Sequence, residues 1–401
     1  MIDPALYRRL HAELAAIGRS ERGWNRLAWG PEEEAARDWF RATARQLGLA
    51  IVQDPAGSLW AVEPGCEDGP WDCVGSHVDT VGDGGAFDGA LGIVAGLTAV
   101  DAVRRSSVET RYPLAIGCMV DEEGPRFSAA IFGSRALAGE WEIDELLGRR
   151  DRAGATLGEL AALRGVTAET LRAAPGFLPR IASWIEVHVE QGRRLVDVPA
   201  ALGVATTLAP RERWIATLRG AADHAGTTPM EGRRDALVGA ARLVLAAHEH
   251  ASAETGAVAT VGRIEALPGS TNVIPGEAVL SLDVRALDRD QLERVSRQIR
   301  STPLDGIELE WSLAASDPGS HFDDELRARL ARAATAEGVI AVDLAAYAGH
   351  DAGVLARRLP AAMLFVRNPT GISHNPAEHA DEADCLAACA VLERSLAPRR
   401  G

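Results

Sequence analysis

The sequence predicts an α/β protein: a core domain made of residues 1–210 and 319–401, interrupted by a second domain at 211–318. Three observations carry the prediction. Apolar strands alternate with helical stretches through the first half of the chain, the pattern of an α/β core. From about Arg211 the order becomes β-α-β-β-α-β, that of a split, ferredoxin-like unit, with Pro210 and Asp317-Pro318-Gly319 as hinges at its ends. In the core, strand after strand ends in a histidine or a carboxylate.

Taken in order, Glu33 to Leu47 sets Ala36, Phe40, Ala44 and Leu47 at helical spacing among charged residues, an amphipathic surface helix. Ile51-Val52 and Leu59 to Val62 flank Asp54-Pro55-Ala56-Gly57 as a hairpin. Cys73-Val74-Gly75 is a short buried strand leading into His77. A glycine-rich loop, Val81 to Phe87, then brings in Asp88 at the start of a small, apolar, enclosed helix, Ala90 to Val103. Leu114 to Val120 is an uninterrupted apolar run, an interior strand that delivers Asp121, Glu122 and Glu123 at its carboxyl end, where open α/β sheets gather ligands. Helices around Ala136 to Arg149 and Leu157 to Ala173 lead to a strand, Ile181 to Val189, ending in His188-Val189-Glu190-Gln191-Gly192. In the inserted domain Trp214 to Leu218, Ala257 to Ile264, Glu277 to Arg285 and Ile307 to Leu313 read as strands, and Arg233 to His250 and Arg289 to Arg300 as helices. Phe322 to Glu337 and Glu382 to Leu396 are helical, with strands at Val339 to Leu344 and Ala362 to Val366 between them.

A composition of 47% hydrophobic and 25% charged residues suits a soluble globular protein. The net charge of −15 argues against a nucleic-acid partner, whose phosphates need basic patches, and leaves charge for bound cations to neutralise. Met1 to Arg9 carries charges where a signal peptide needs an apolar run, and no stretch approaches the ~20 apolar residues of a membrane span. A cytoplasmic location without a membrane partner is therefore expected. The 5 cysteines, odd in number and without a CxxC pair, are expected to be reduced and buried.

Two divalent ions that share one carboxylate require a bridging acid, imidazole or carboxylate ligands on either side, and an unligated acid that handles protons. Asp88 is expected to bridge. His77 and His188 complete one ion, and Glu123 with His374, from Ser373-His374-Asn375-Pro376-Ala377-Glu378, the other. Glu122, leaving the strand end in a different direction, is the expected base, and Asp79 the carboxylate that orients His77. Any one of these segments alone reads more simply as a hydrogen-bonded histidine or a solvated loop. Packing gives no reason for four of them to fall at strand ends. Such ligands accept zinc or manganese, and also cobalt or nickel.

With its motifs GSHVDT, GGAFDGALG, DEEGPRF, HVEQG, DHAGTTPM, STNVIPG, GHDA and GISHNPAE, nearly the whole chain resembles the amidase branch of the zinc-dependent exopeptidase superfamily. That branch holds N-carbamoyl-L-amino acid hydrolases, allantoate amidohydrolases and β-ureidopropionases. The resemblance implies a mixed-sheet catalytic domain with two metal ions and an inserted ferredoxin-like lid. It also implies hydrolysis of the ureido C–N bond of a small N-carbamoyl acid to amine, carbon dioxide and ammonia. Its metal ligands match His77, Asp88, Glu123, His188 and His374, and its base matches Glu122. His188 selects the branch, since the peptidases usually carry Asp or Glu there, while the ureido amidases carry His followed by Glu-Gln-Gly. Gln191 is implied to lie near the substrate.

In the inserted domain the resemblance implies that His224 donates to the oxyanion formed at the attacked carbonyl, worth ~3 kcal/mol. Asn272 and Arg285 are implied to bind the substrate carboxylate, for which the bidentate fork of arginine is suited. Arg213 is a further candidate for that anion. A homodimer joined through the lid is implied, with His224 or Asn272 reaching the neighbour's site, and lid closure as part of turnover. Ala346-Tyr347-Ala348 departs from the commoner Ser-Gly-Ala before the Gly-His-Asp-Ala loop, so His350 and Asp351 receive no role. His379 is read as peripheral, and His248, His250 and His321 as solvent-facing. The alternatives are an aminoacylase or dipeptidase on the same metals, a β-ureidopropionase, or a non-catalytic binding protein of this fold. Retention of Glu122 with all five ligands speaks against the last.

Overall fold

Asp3 starts the first helix, α1 (Pro4–Ala16): its carboxylate accepts hydrogen bonds from the Ala5 and Leu6 amides, Pro4 occupies the first turn, and Leu6, Tyr7, Leu10 and Leu14 face inward. Helix α2 (Pro31–Gln46) buries Ala36, Phe40 and Ala44. The hairpin β1 (Ala50–Gln53) and β2 (Leu59–Val62) follows, then β3 (Trp71–His77), buried at every residue. The structure is a computed structural model that describes residues 1–106 and 108–397. Helix α3 (Ala90–Ser106) is buried along most of its length and precedes β4 (Leu114–Met119). Where two helices were expected, four short ones occur: α4 (Phe132–Ala138), α5 (Ile143–Gly148), α6 (Leu157–Ala162) and α7 (Ala168–Ala173). The chain leaves the first helical path at Gly139, and Thr156 and Thr167 each open a new helix with a capping box. β5 (Ile181–Val189) and β6 (Leu202–Leu208) end this stretch.

Thr207–Ser320 forms one compact unit, slightly wider than 211–318, and the residues up to Thr206 and from His321 form the other. The inserted unit runs β7 (Arg211–Arg219), α8 (Ala236–Ser252), β8 (Val258–Leu267), β9 (Glu277–Arg285), α9 (Arg289–Arg300) and β10 (Glu308–Asp317). Its strands form an antiparallel sheet in the order β8-β9-β7-β10. Ala216, Leu218, Leu280 and Leu282 of that sheet pack on Ala240 and Leu243 of α8 and Leu292 and Val295 of α9. The other side of α8 leaves Leu237, Val238, Val244 and Leu245 exposed.

The core unit resumes with α10 (Asp324–Ala336), β11 (Ala341–Ala346), α11 (Asp351–Leu355), β12 (Ala361–Val366) and α12 (Glu382–Leu396). Its mixed sheet has the order β6-β12-β5-β3-β4-β2-β1, with β11 also beside β6. β12, β5, β3 and β4 are mutually parallel, so their four carboxyl ends lie on one edge. Side chains alternate across this sheet. Val74, Ile185 and Val187 join the cluster beneath α1, α3 and α12, while Trp60, Trp71 and Trp184 group with Phe177. His77 and His188 therefore share the tryptophan side of the sheet, at its carboxyl edge.

All five cysteines are free, four buried and Cys66 only half-buried, because Cys66 lies in the loop before β3. Among the described residues no helix is long and apolar enough to cross a membrane.

Candidate metal centre

The four parallel strand ends deliver the five expected ligands to one place. His77 closes β3. Asp88 begins the turn into α3, where Gly89, at φ 63, leaves room for the His77 imidazole that any side chain there would strike. The loop after β4 supplies Glu122 and Glu123, whose amides donate to Asp79 Oδ1 at 3.3 Å and Oδ2 at 3.1 Å. Asp121 shapes that turn: its carboxylate accepts from Trp29 Nε1 at 2.6 Å and from the Gly124 amide at 3.1 Å. His188 lies near the end of β5, and His374 in the loop after β12.

Asp88 stands between two groups. Its Oδ1 lies 3.4 Å from His77 Nε2 and 3.2 Å from His188 Nε2, and its Oδ2 lies 3.6 Å from His374 Nε2. Glu123 Oε2 is 3.3 Å from the same His374 nitrogen. In each of the sets His77–Asp88–His188 and Asp88–Glu123–His374, ligand atoms lie within 4.8 Å of one another. Glu122 belongs to neither set, yet its Oε2 is 3.7 Å from His77 Nε2.

The residues fit a pair of cations. His77 Nδ1 and His188 Nδ1 reach the carbonyls of Asp79 and Val189 at 3.1 and 2.8 Å. A ring that donates from Nδ1 presents a bare lone pair at Nε2. Both Nε2 atoms, and Glu123 Oε1, are buried without a hydrogen-bond partner among the described residues. Two lone pairs facing one carboxylate oxygen repel unless a proton or a cation lies between them. Burial would lower the His77 imidazole, but Glu122, Asp79 and Asp88 hold it well above its ordinary value. Burial, and then the charges of Asp351, Glu123 and Asp88, push Glu122 well above the usual carboxylate range, and burial and Asp88 do the same to Glu123. Acids crowded beyond the protein's own positive charge are what divalent cations relieve.

Gln191 also joins the site: its Nε2 donates to Asp88 Oδ2 at 2.9 Å. Three neighbours carried no expected role. Glu186 accepts from Ser76 Oγ at 3.0 Å and from the Ala352 amide at 2.8 Å. Its position two residues before His188, hence on the same strand face, was the available signal. His350 is buried, its ring 4.5 Å from that of His188, and Asp351 accepts a hydrogen bond from Ser134 Oγ. His379, by contrast, is exposed and pairs with Asp381 at 3.3 Å. His248 and His321 are exposed, whereas His250 is half-buried.

Within the inserted unit the expected substrate residues form two groups. His224 and Asn272 come together: His224 pairs with Val273 in a short ladder, and the Ala225 amide donates to the Asn272 carbonyl at 2.9 Å. Arg285 and Arg213 come together through Asp283, which accepts from Arg285 Nε at 2.8 Å and Arg213 Nε at 2.8 Å. Burial would raise Asp283, but these arginines hold it below its ordinary value. The length of β9, Glu277–Arg285, separates the groups, roughly 25 Å at strand spacing.

Fold and donor sets together define a class: α/β proteins that gather imidazole and carboxylate ligands at the carboxyl edge of a mixed sheet. Within it the chain belongs to Peptidase family M20/M25/M40, which matches residues 73–397. It is 33% identical over 400 residues to the N-carbamoyl-L-amino acid amidohydrolase of Geobacillus stearothermophilus, covering 98% of this chain and 97% of that one. It is 32% identical over 375 residues to the allantoate amidohydrolase of Escherichia coli (strain K12), covering 90% and 89%. Among solved structures, a hydantoinase/carbamoylase family amidase from Burkholderia multivorans is similar at a TM-score of 0.89 and 30% identity, over 99% of this chain and 98% of that one.

Proposed function

We propose that the protein is an amidohydrolase that cleaves the ureido C–N bond of a small N-carbamoyl acid, an N-carbamoyl-L-amino acid or allantoate. The observation that carries this is the division of Asp88 between two ligand sets, with the unligated Glu122 beside them. The named relatives supply the substrate class. When bound, two divalent ions, zinc or manganese by the chemistry of the donors, would polarise the ureido carbonyl and acidify the attacking water. Glu122 takes a proton from that water and delivers it to the leaving nitrogen, releasing the amino acid and a carbamate that decays to carbon dioxide and ammonia. Gln191 Oε1, buried without a partner among the described residues, offers an acceptor for a substrate N–H.

In the inserted unit, His224 Nδ1 accepts from the Gly226 and Thr227 amides at 3.1 and 3.2 Å. The neutral ring then carries its proton on Nε2, the donor an oxyanion needs. Arg285 and Arg213 supply positive charge for the substrate carboxylate. Ammonia release from N-carbamoyl-amino acids and allantoate, measured against acetyl-amino acids and dipeptides, tests the reading. Faster hydrolysis of the acetylated compounds or dipeptides would instead make the protein an aminoacylase or peptidase. Arg285→Ala should raise KM for carboxylate substrates far more than it lowers kcat.

No small substrate can touch both groups of the inserted unit in one copy, given the length of β9. A homodimer joined through this unit, using the apolar stripe of α8, would let each site draw one group from each copy. Mixing inactive Glu122→Gln protein with inactive His224→Ala protein should then restore about a quarter of the wild-type rate, since half the dimers are mixed and each has one complete site. A mixture as inactive as its components counts against His224 serving the neighbour's site.

A further inference from the structure

Glu378 belongs to neither ligand set, yet its buried carboxylate touches both of the loops that carry Asp88 and His374. Its Oε1 accepts from the Phe87 amide at 3.2 Å and the Asp88 amide at 2.9 Å. Its Oε2 accepts from Ser373 Oγ at 2.9 Å, and that hydroxyl also lies 3.3 Å from Asp88 Oδ2. A turn at Asn375 aims Glu378 back toward the site: the Asn375 carbonyl accepts from the Glu378 amide at 3.0 Å, and Asn375 Oδ1 from the Ala377 amide at 2.9 Å. A side chain at Gly85 would collide with the Glu378 carboxylate, so the glycine-rich loop closes directly onto it.

The two ligand sets differ in how firmly they are held. His77 and His188 sit on buried central strands. His374 has a side chain 48% exposed and a left-handed backbone, φ 54, in a loop. A ligand on such a loop loses more freedom when it binds, unless something has already restrained it. Asp88 has other restraints: the Gln191 contact and its place at the start of α3, where its carbonyl accepts from the Ala90 amide at 2.6 Å.

We propose that Glu378 is a positioning residue for the ion of the Asp88–Glu123–His374 set: it clasps the His374 loop to the Asp88 loop, and the affinity of that ion depends on it while that of the His77–Asp88–His188 ion does not. The proposal rests on the two-ion reading above. Calorimetric titration of metal-free, full-length protein with manganese, with ion counts after dialysis, tests it. Wild type should take up two ions. Glu378→Ala should weaken one binding step by about 10–100-fold and leave the other unchanged. Glu378→Gln, which keeps an acceptor for the Phe87 and Asp88 amides, should fall between. The kcat lost by Glu378→Ala at limiting manganese should return with excess manganese, at an unchanged KM. Should Glu378→Ala fail to fold, Ser373→Ala removes only the hydroxyl of the clasp and should weaken the same step to a lesser degree. Unchanged binding, or equal weakening of both steps, overturns the proposal. Fewer than two ions on the wild type overturns the two-ion reading itself, and this proposal with it.

Discussion

Glu122→Gln should lower kcat by about 10²–10⁴-fold while the protein still binds two ions. Glutamine keeps the shape of the side chain and cannot accept the proton. Glu122 is 6% exposed, beside both ligand sets and part of neither, so its loss should leave the ligands in place. Burial first, and then the acids around it, hold its carboxylate well above the usual carboxylate range, so it is a stronger base than an exposed glutamate. Steady-state kinetics of the manganese-loaded variant, with metal content measured on the same sample, separates loss of the base from loss of the ions. Full activity in a fully loaded variant would assign the proton transfer to another group.

What could be read beforehand follows from where each residue gets its partners. His77, Asp88, Glu123, His188 and His374 were legible because each follows or ends a strong apolar strand or opens a helix. The sheet then had one edge on which to place them. Helix α1 is equally legible, with Asp3 and Pro4 at its start and its inward residues at helical spacing. The breaks at Gly139 and Thr167 were signalled by a glycine and by a threonine with a partner three residues on; the apolar content around them reads as continuous helix. β6 is short of alternating polarity, and its neighbours in the sheet make it a strand. His350 and Glu378 meet partners far away in sequence, and no local pattern marks such pairs; Glu186 is marked only by its place two residues before His188. The separation of Asn272 from Arg285 is present in the sequence, because Asn272 precedes and Arg285 ends a single strand of nine residues, Glu277–Arg285.

Asp88→Asn should take the chain from two bound ions to none and reduce hydrolysis to the uncatalysed background. The amide keeps the size of the carboxylate, but one of its two positions becomes an NH₂ that cannot ligate, and the charge is lost. Whichever way the amide turns, one set loses its shared oxygen, and the other is left with a weaker, neutral donor among buried acids. His374→Ala serves as the comparison. It removes a ligand from one set only, while Asp88 Oδ1 still faces His77 Nε2 at 3.4 Å and His188 Nε2 at 3.2 Å, so one ion should stay. Ion counts after dialysis distinguish the two variants without reference to activity. If Asp88→Asn held one ion as tightly as the wild type does, that carboxylate would serve a single ion, and the two sets would be separate sites that happen to be adjacent.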